Sequence, residues 1–241
     1  MSDKRTAAAM SDRRAATMIG SLYILGTAAG VAAALIMPTM TGSDILAQLA
    51  ANRTAVIAGA FLTLTMGFAL SALSAVFYPI GRRFSEALSM GYVIFRGALE
   101  GMLYVLSAFL WLVLVALSAE PSSIAPVAGA LRIAQGLIFD QLIALPFLLG
   151  AVMFYWLLFR ARLVPRWITV WGLVGAALYL TAPLARMAGL NLDMLMVPLG
   201  LQEMVLAVWL IVKGFNQDAL TAEDRQPRAT ATRLDMSPEA V

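Results

Sequence analysis

Arg96, Glu100 and Glu203 stand inside stretches that are otherwise apolar. An ionisable side chain at the centre of a membrane helix costs at least about 2.5–3.5 kcal/mol to insert, so each such residue is expected to have a partner or a ligand. Arg96 and Glu100 are four apart and share a face if their segment is helical. Arg96 lies about nine residues, or roughly 14 Å of helix rise, from the nearer end of its stretch. Glu203 lies about ten residues, or roughly 15 Å, before Lys213 at the end of its own. The matched depths predict that Arg96, Glu100 and Glu203 meet across two helices. One cation against two carboxylates leaves a carboxylate in excess. In a dry interior that excess takes a proton or a cation, or else the triad only locks two helices together. A second polar set, Arg132, Asp140, Arg186 and Asp193, is expected near the opposite, outer end of the bundle.

Much other chemistry is absent at the level of residue type. The chain has no Cys and no His. Thiolate and imidazole metal sites, His-ligated haem and Ser-His or Cys-His nucleophile pairs are therefore excluded. No spacing of Asp and Glu suggests a metal site. Neither a metal nor a cofactor is implied, and a catalytic residue cannot be named. Carboxylate acid/base work by Glu100 or Glu203 is the one enzymatic route left open. A retinal-type Schiff base is not expected, because Lys213, the lysine nearest a span, sits at its edge.

The elements that hold these residues follow from composition. Apolar residues make up 61% of the 241 and charged residues 13%, against about half and a quarter in soluble domains. The excess falls in blocks of about twenty residues, the length that crosses a hydrocarbon layer of roughly 30 Å. The expected fold is all-α: an integral membrane helical bundle of six transmembrane helices plus one or two short amphipathic helices. Residues 1–14 read as a disordered basic N-terminal tail, 15–215 as the six-helix domain and 216–241 as a disordered C-terminal tail. The spans run at about 15–37, 54–78, 87–117, 140–159, 167–187 and 194–213. Ser43 and Asp44 offer an N-cap for a short helix at Ile45–Ala51. Val127–Phe139, interrupted by Arg132 and Gln135, reads as an amphipathic approach helix, either separate from the fourth span or continuous with it.

Thirteen of the seventeen Lys and Arg residues fall on one side of this arrangement if both termini share it. The two short loops around Arg82-Arg83 and Arg160–Arg166 give the same answer as the tails. Basic residues gather on the cytoplasmic side, so both ends are expected inside. The net charge of +3 follows the membrane edges and is not a nucleic-acid signature. Pro146, Pro183 and Pro198, one in each of the last three spans, fall at one level about 21–24 Å from the inner ends. Kinks there would splay the outer half into a vestibule. Gly26–Gly30 and Gly97–Gly101 are small-xxx-small patterns that permit close helix approach, within the bundle or between copies in a homo-oligomer. Tyr78, Trp156, Trp167, Trp171 and Trp209 read as an interfacial belt.

Three ordered stretches carry a family resemblance. They are Phe95-Arg96-Gly97-Ala98-Leu99-Glu100; Arg160 through Trp167 with Trp171-Gly172 and Tyr179-Leu180; and Gln202-Glu203 followed by Trp209 through Gly214. Together they resemble the bacterial membrane-protein family known as domain of unknown function 4386, over roughly residues 15–216. The resemblance implies a multi-helix integral membrane protein and little else. It implies no activity and assigns no residue a role. With both termini inside, the expected location is the bacterial cytoplasmic (inner) membrane.

Function is expected in one of three classes. The favoured one is a binding or transport module for a lipid or small amphiphile in an outward-facing intramembrane cavity. Arg96, Glu100 and Glu203 would form its polar floor, with Tyr104 and Tyr179, roughly 18–25 Å above the inner edge, on its wall. The expected partners are membrane lipids and a small amphiphilic ligand, and no nucleic acid. The alternatives are a membrane-embedded enzyme using carboxylates, and an accessory subunit whose polar residues only specify packing.

Overall fold

The computed structural model describes residues 2–40, 44–119 and 124–223, and these are almost entirely helical. Seven helices account for the bundle: α1 (Ser2–Ile36), α2 (Ile45–Ala51), α3 (Arg53–Gly81), α4 (Glu86–Leu117), α5 (Ala125–Ala161), α6 (Arg166–Met187) and α7 (Asp193–Val212). Six of them, all but α2, are long and apolar enough to cross a membrane. Their intramolecular hydrogen bonds satisfy the backbone, which lipid cannot do. The bundle winds α1 against α3 and α7, α3 against α4, α4 against α5, α5 against α6 and α6 against α7.

Local chemistry explains the helix ends. The Asp44 carboxylate accepts from Ala47 N at the start of α2, and Ser85 Oγ accepts from Leu88 N at the start of α4. Ser43, the other candidate cap, lies outside the described residues. Arg162 closes α5 in the left-handed region, at φ 52°. Asn216 donates its amide to the Arg162 carbonyl, and Asn216 N donates to Leu163 O.

Residues 125–161 form one continuous helix. The segment expected as an approach helix and the fourth span are joined through a wide π-helical stretch at Ile138–Leu142. Pro146 gives a physical reason for that stretch. It has no N–H for the Leu142 carbonyl and its ring crowds that carbonyl, so a widened turn just before it relieves the clash.

Helical structure extends into both segments expected as tails. Helix α1 begins at Ser2, within the segment read as a disordered tail. Buried Asp12 pairs with Arg83 through two bonds of 2.7 and 3.0 Å. Arg13 donates to the carbonyls of Leu210, Ile211 and Val212, where the end of α7 leaves oxygens without helical partners. At the other terminus Phe215 and Leu220 are buried against the core, and residues 217–223 form a further helical turn. Such contacts join residues 71 to 199 positions apart and leave no local trace in sequence. The remainder of the C-terminal segment, 224–241, lies outside the described residues.

The three span prolines do not act alike. Pro146 and Pro183 sit inside helices. Pro198 instead falls in the first turn of the α-helical part of α7, after a 3-10 turn at Asp193–Met196. In a first turn the missing N–H costs nothing, so Pro198 starts a helix and does not kink one.

Candidate functional site

The centre of the bundle is built on an unusual stretch of α4. Residues Val93–Glu100 are π-helical, and both buried charges of this helix lie within them. A widened turn of this kind is frequent at functional sites. Its packing against α3 is very close. A Cβ on Gly97 or Gly101 would collide with the Ser74 or Ser71 hydroxyl, so a larger residue would force that hydroxyl to move. Ser71 Oγ donates to the Gly97 carbonyl at 2.7 Å, which takes up an acceptor on the widened turn. The Gly97–Gly101 pattern thus serves a contact within the bundle.

Arg96 points from this stretch into the core and is 3% exposed. Its Nη1 donates to both oxygens of Glu100, at 3.0 and 3.1 Å, and its Nη2 donates to Glu203 Oε1 at 3.1 Å. The guanidinium lies over the Phe147 ring, 4.6 Å from its centroid. The three charges expected together from spacing and depth do meet. The two carboxylates are not equivalent. Glu100 is 1% exposed at its side chain and Glu203 is 15% exposed. Glu203 is therefore the carboxylate that faces open space.

That space is an inner chamber of about 180 Å³. Arg96 and Glu203 line its polar side, and Tyr104, Phe147, Tyr179, Met66 and Leu70 line the rest, with Gly26 and Thr27 of α1. Both tyrosines expected on the wall are there. Tyr179 packs on Phe147 with centroids 4.5 Å apart, and Tyr104 meets Phe139 edge-on at 6.2 Å. The chamber was expected between the third, fifth and sixth spans. It draws on all six.

Beside the triad runs a second buried polar link. Tyr155 donates its hydroxyl to Gln202 Oε1 at 2.7 Å, and Gln202 Nε2 donates to Ile168 O at 3.0 Å. Gln202 is completely buried, so α7 offers Gln202 to the core and Glu203 to the chamber. Tyr23, Tyr92 and Tyr155 surround Phe154 just below, and the Tyr92 hydroxyl has no hydrogen-bond partner among the described residues.

The outer polar set divides in two. Arg186 reaches Asp193 at 2.8 Å and Asp140 at 3.5 Å, closing a salt-bridged rim. Arg132 does not join it. Its Nη1 donates to Gln135 Oε1 at 3.0 Å, and Gln135 Nε2 donates to Ser107 Oγ at 2.9 Å. Its guanidinium lies over Trp111 at 4.9 Å. A second chamber of about 150 Å³ adjoins this group. A more open hollow of about 550 Å³ lies elsewhere, at the ends of α5, α6 and α7, among Arg162, Arg166, Trp209 and Lys213.

Phe147, Gln202, Tyr155 and the Ser107–Gln135 pair were not expected at these positions. Gln202, Gln135 and the tyrosines carry a sequence signal, a polar group in mid-span. Phe147 carries none, since a phenylalanine in an apolar run is ordinary until a guanidinium is found on its face.

Six apolar helices closed around a buried ion triad define a multi-pass helical membrane protein. A family profile matches residues 18–214, and the chain belongs to that family, described as Domain of unknown function (DUF4386). No curated protein and no solved structure matches it.

Proposed function

We propose that this protein is a binding or transport module that holds one end of a lipid or small amphiphile in the inner chamber. The observation that carries the reading is the exposure of Glu203, the surplus carboxylate of the triad, to a chamber walled by aromatic and apolar side chains. A cationic or hydroxylated headgroup complements that surface. Size limits the occupant. The volume of 180 Å³ equals the share of roughly six waters, and whole drug-sized ligands need about 300 Å³ or more. A headgroup or short chain segment fits, and a complete lipid does not. Native mass spectrometry of protein extracted in mild detergent tests this. Wild type is expected to retain an adduct that Glu203→Gln loses, with little change in melting temperature. A wild type without adduct, together with a Glu203→Gln variant that only melts earlier, overturns it.

That second outcome would favour the accessory-subunit reading, in which the polar residues serve packing alone. The complete burial of Glu100 supports that role for one half of the triad.

We further propose that the bundle sits in a bacterial cytoplasmic membrane with both termini inside. Arg13, Arg83, Arg162 and Lys213 support this orientation by gathering at one end of the bundle. Arg13 bonds the end of α7, Arg83 bonds Asp12 of α1, and Arg162 and Lys213 line a common hollow. Reporter fusions at Val241 and in the 119–126 loop should report cytoplasm and periplasm respectively. A periplasmic Val241 sinks the orientation.

A further inference from the structure

The outer chamber lies where α1 leaves α5. Helix α1 packs on α3 and α7 and makes no comparable contact with α5. Gly30, Ala33 and Ala34 of α1 line the chamber together with Gln135 and Phe139 of α5, and Met66 of α3 lines both this chamber and the inner one. Ala34 and Phe139 are both exposed, so the seam opens sideways toward lipid.

Arg132 is the charge in this seam. It forms no ion pair within 4 Å among the described residues, its Nε is buried without a hydrogen-bond partner, and Trp111 covers one face of the guanidinium. Asp140 also lines the chamber, but it pairs with Arg186. A guanidinium is a fork of donors matched to carboxylate and phosphate. With one donor satisfied by a neutral amide, it is a cation that has no anion within ion-pair distance among the described residues.

We propose that Arg132 anchors the anionic headgroup of a single-chain amphiphile that enters the seam between α1 and α5 from the lipid. The recognised chemistry is a carboxylate or phosphate oxygen pair on the Arg132 fork. The apolar walls of α1 and Phe139 take the first methylenes of the chain. This site is separate from the triad. An empty inner chamber leaves it intact, and Glu203→Gln leaves its binding unchanged.

Trp111 provides the readout. In protein whose other four tryptophans are replaced by phenylalanine, reconstituted in nanodiscs, dibrominated stearic acid is titrated against its methyl ester. The acid is expected to quench Trp111 saturably, and the ester only to the level set by partitioning into the bilayer. Arg132→Gln should weaken the acid's apparent affinity by about tenfold or more, to the level of the ester. Asp140→Asn, which removes a neighbouring negative charge, should leave the acid bound as tightly or more tightly. Displacement of the acid by inorganic phosphate would show that the fork takes a free anion as well as a headgroup, and failure to displace it confines the site to amphiphiles. Either result supports an anion site. Equal quenching by acid and ester overturns the proposal, as does acid quenching that a folded Arg132→Gln variant leaves unchanged. The acid–ester comparison needs no substitution at Arg132, so a poorly folded variant does not leave the question open.

Discussion

Arg96 and Arg132 are the same side chain in two very different positions. Each lies within a transmembrane helix, and each lays its guanidinium over an aromatic ring, Phe147 at 4.6 Å and Trp111 at 4.9 Å. Arg96 then meets two carboxylates, whereas Arg132 meets the amide of Gln135. The inner arginine is over-supplied with anions, and the outer one forms no ion pair among the described residues. The cost of a membrane charge is thus met in two ways: by carboxylates at the centre of the bundle, and at the outer seam by a neutral amide and an aromatic face. A residue of the first kind is expected to carry stability, and one of the second kind binding.

The largest expected effect separates the two at once. Arg96→Ala strands Glu100 and Glu203 beside each other without a cation, and breaking a buried pair by removing one partner costs about 3–5 kcal/mol. Reversible unfolding in mixed micelles measures this. A loss below about 1 kcal/mol would mean that the triad is solvated and unlike a dry core, and the contrast with Arg132 would collapse.

Packing around the triad should respond next. Gly97→Val places methyl groups where the Ser74 hydroxyl stands. Overpacking of this kind costs about 1–3 kcal/mol. It should also displace the Ser71–Gly97 hydrogen bond and with it the widened turn that aims Arg96. A Gly97→Val variant as stable as wild type would show that α3 and α4 part easily, and the triad would not be held by that contact. The coupling between Arg96 and Glu203 sharpens the same point. A double-mutant cycle is expected to give about 0.5–3 kcal/mol. Zero coupling would leave Glu100 as the only working partner of Arg96.

The contrast also marks how much could be read in advance. The six spans are written in the composition, since twenty-residue apolar blocks have few other uses. The meeting of Arg96, Glu100 and Glu203 was legible because depth in a membrane is a ruler: residues at equal height on helices that span the same layer have few other places to go. Which helices neighbour one another is not on that ruler. The inner chamber accordingly involves α1 and α3 through Thr27 and Met66, residues with nothing unusual in their sequence context. The widened turn at Val93–Glu100 was hidden as well, and the residues that pack on it, Ser71 and Ser74, belong to another helix. Pro198 was misread because its effect depends on whether the helix has already started. Asp12 and Arg13 were assigned to a tail because their partners, Arg83 and the end of α7, come from distant parts of the chain.

Arg132 itself should show the smallest effect on stability. Replacing it with Gln removes a cation–π contact worth about 0.5–2 kcal/mol. It also frees the Gln135 oxygen, which can bond the new amide. Against these losses stands the removal of an unpaired charge whose insertion costs at least about 2.5 kcal/mol at full depth, and less near the surface. These terms oppose one another and are similar in size, so unfolding of Arg132→Gln should differ from wild type by no more than about 1 kcal/mol. The same measurement on Arg96→Gln should show a loss several times larger, because there no unpaired charge is relieved and two carboxylates are left facing each other. Comparable losses at the two sites would make Arg132 a packing residue like Arg96. Its lack of an ionic partner would then have no bearing on binding.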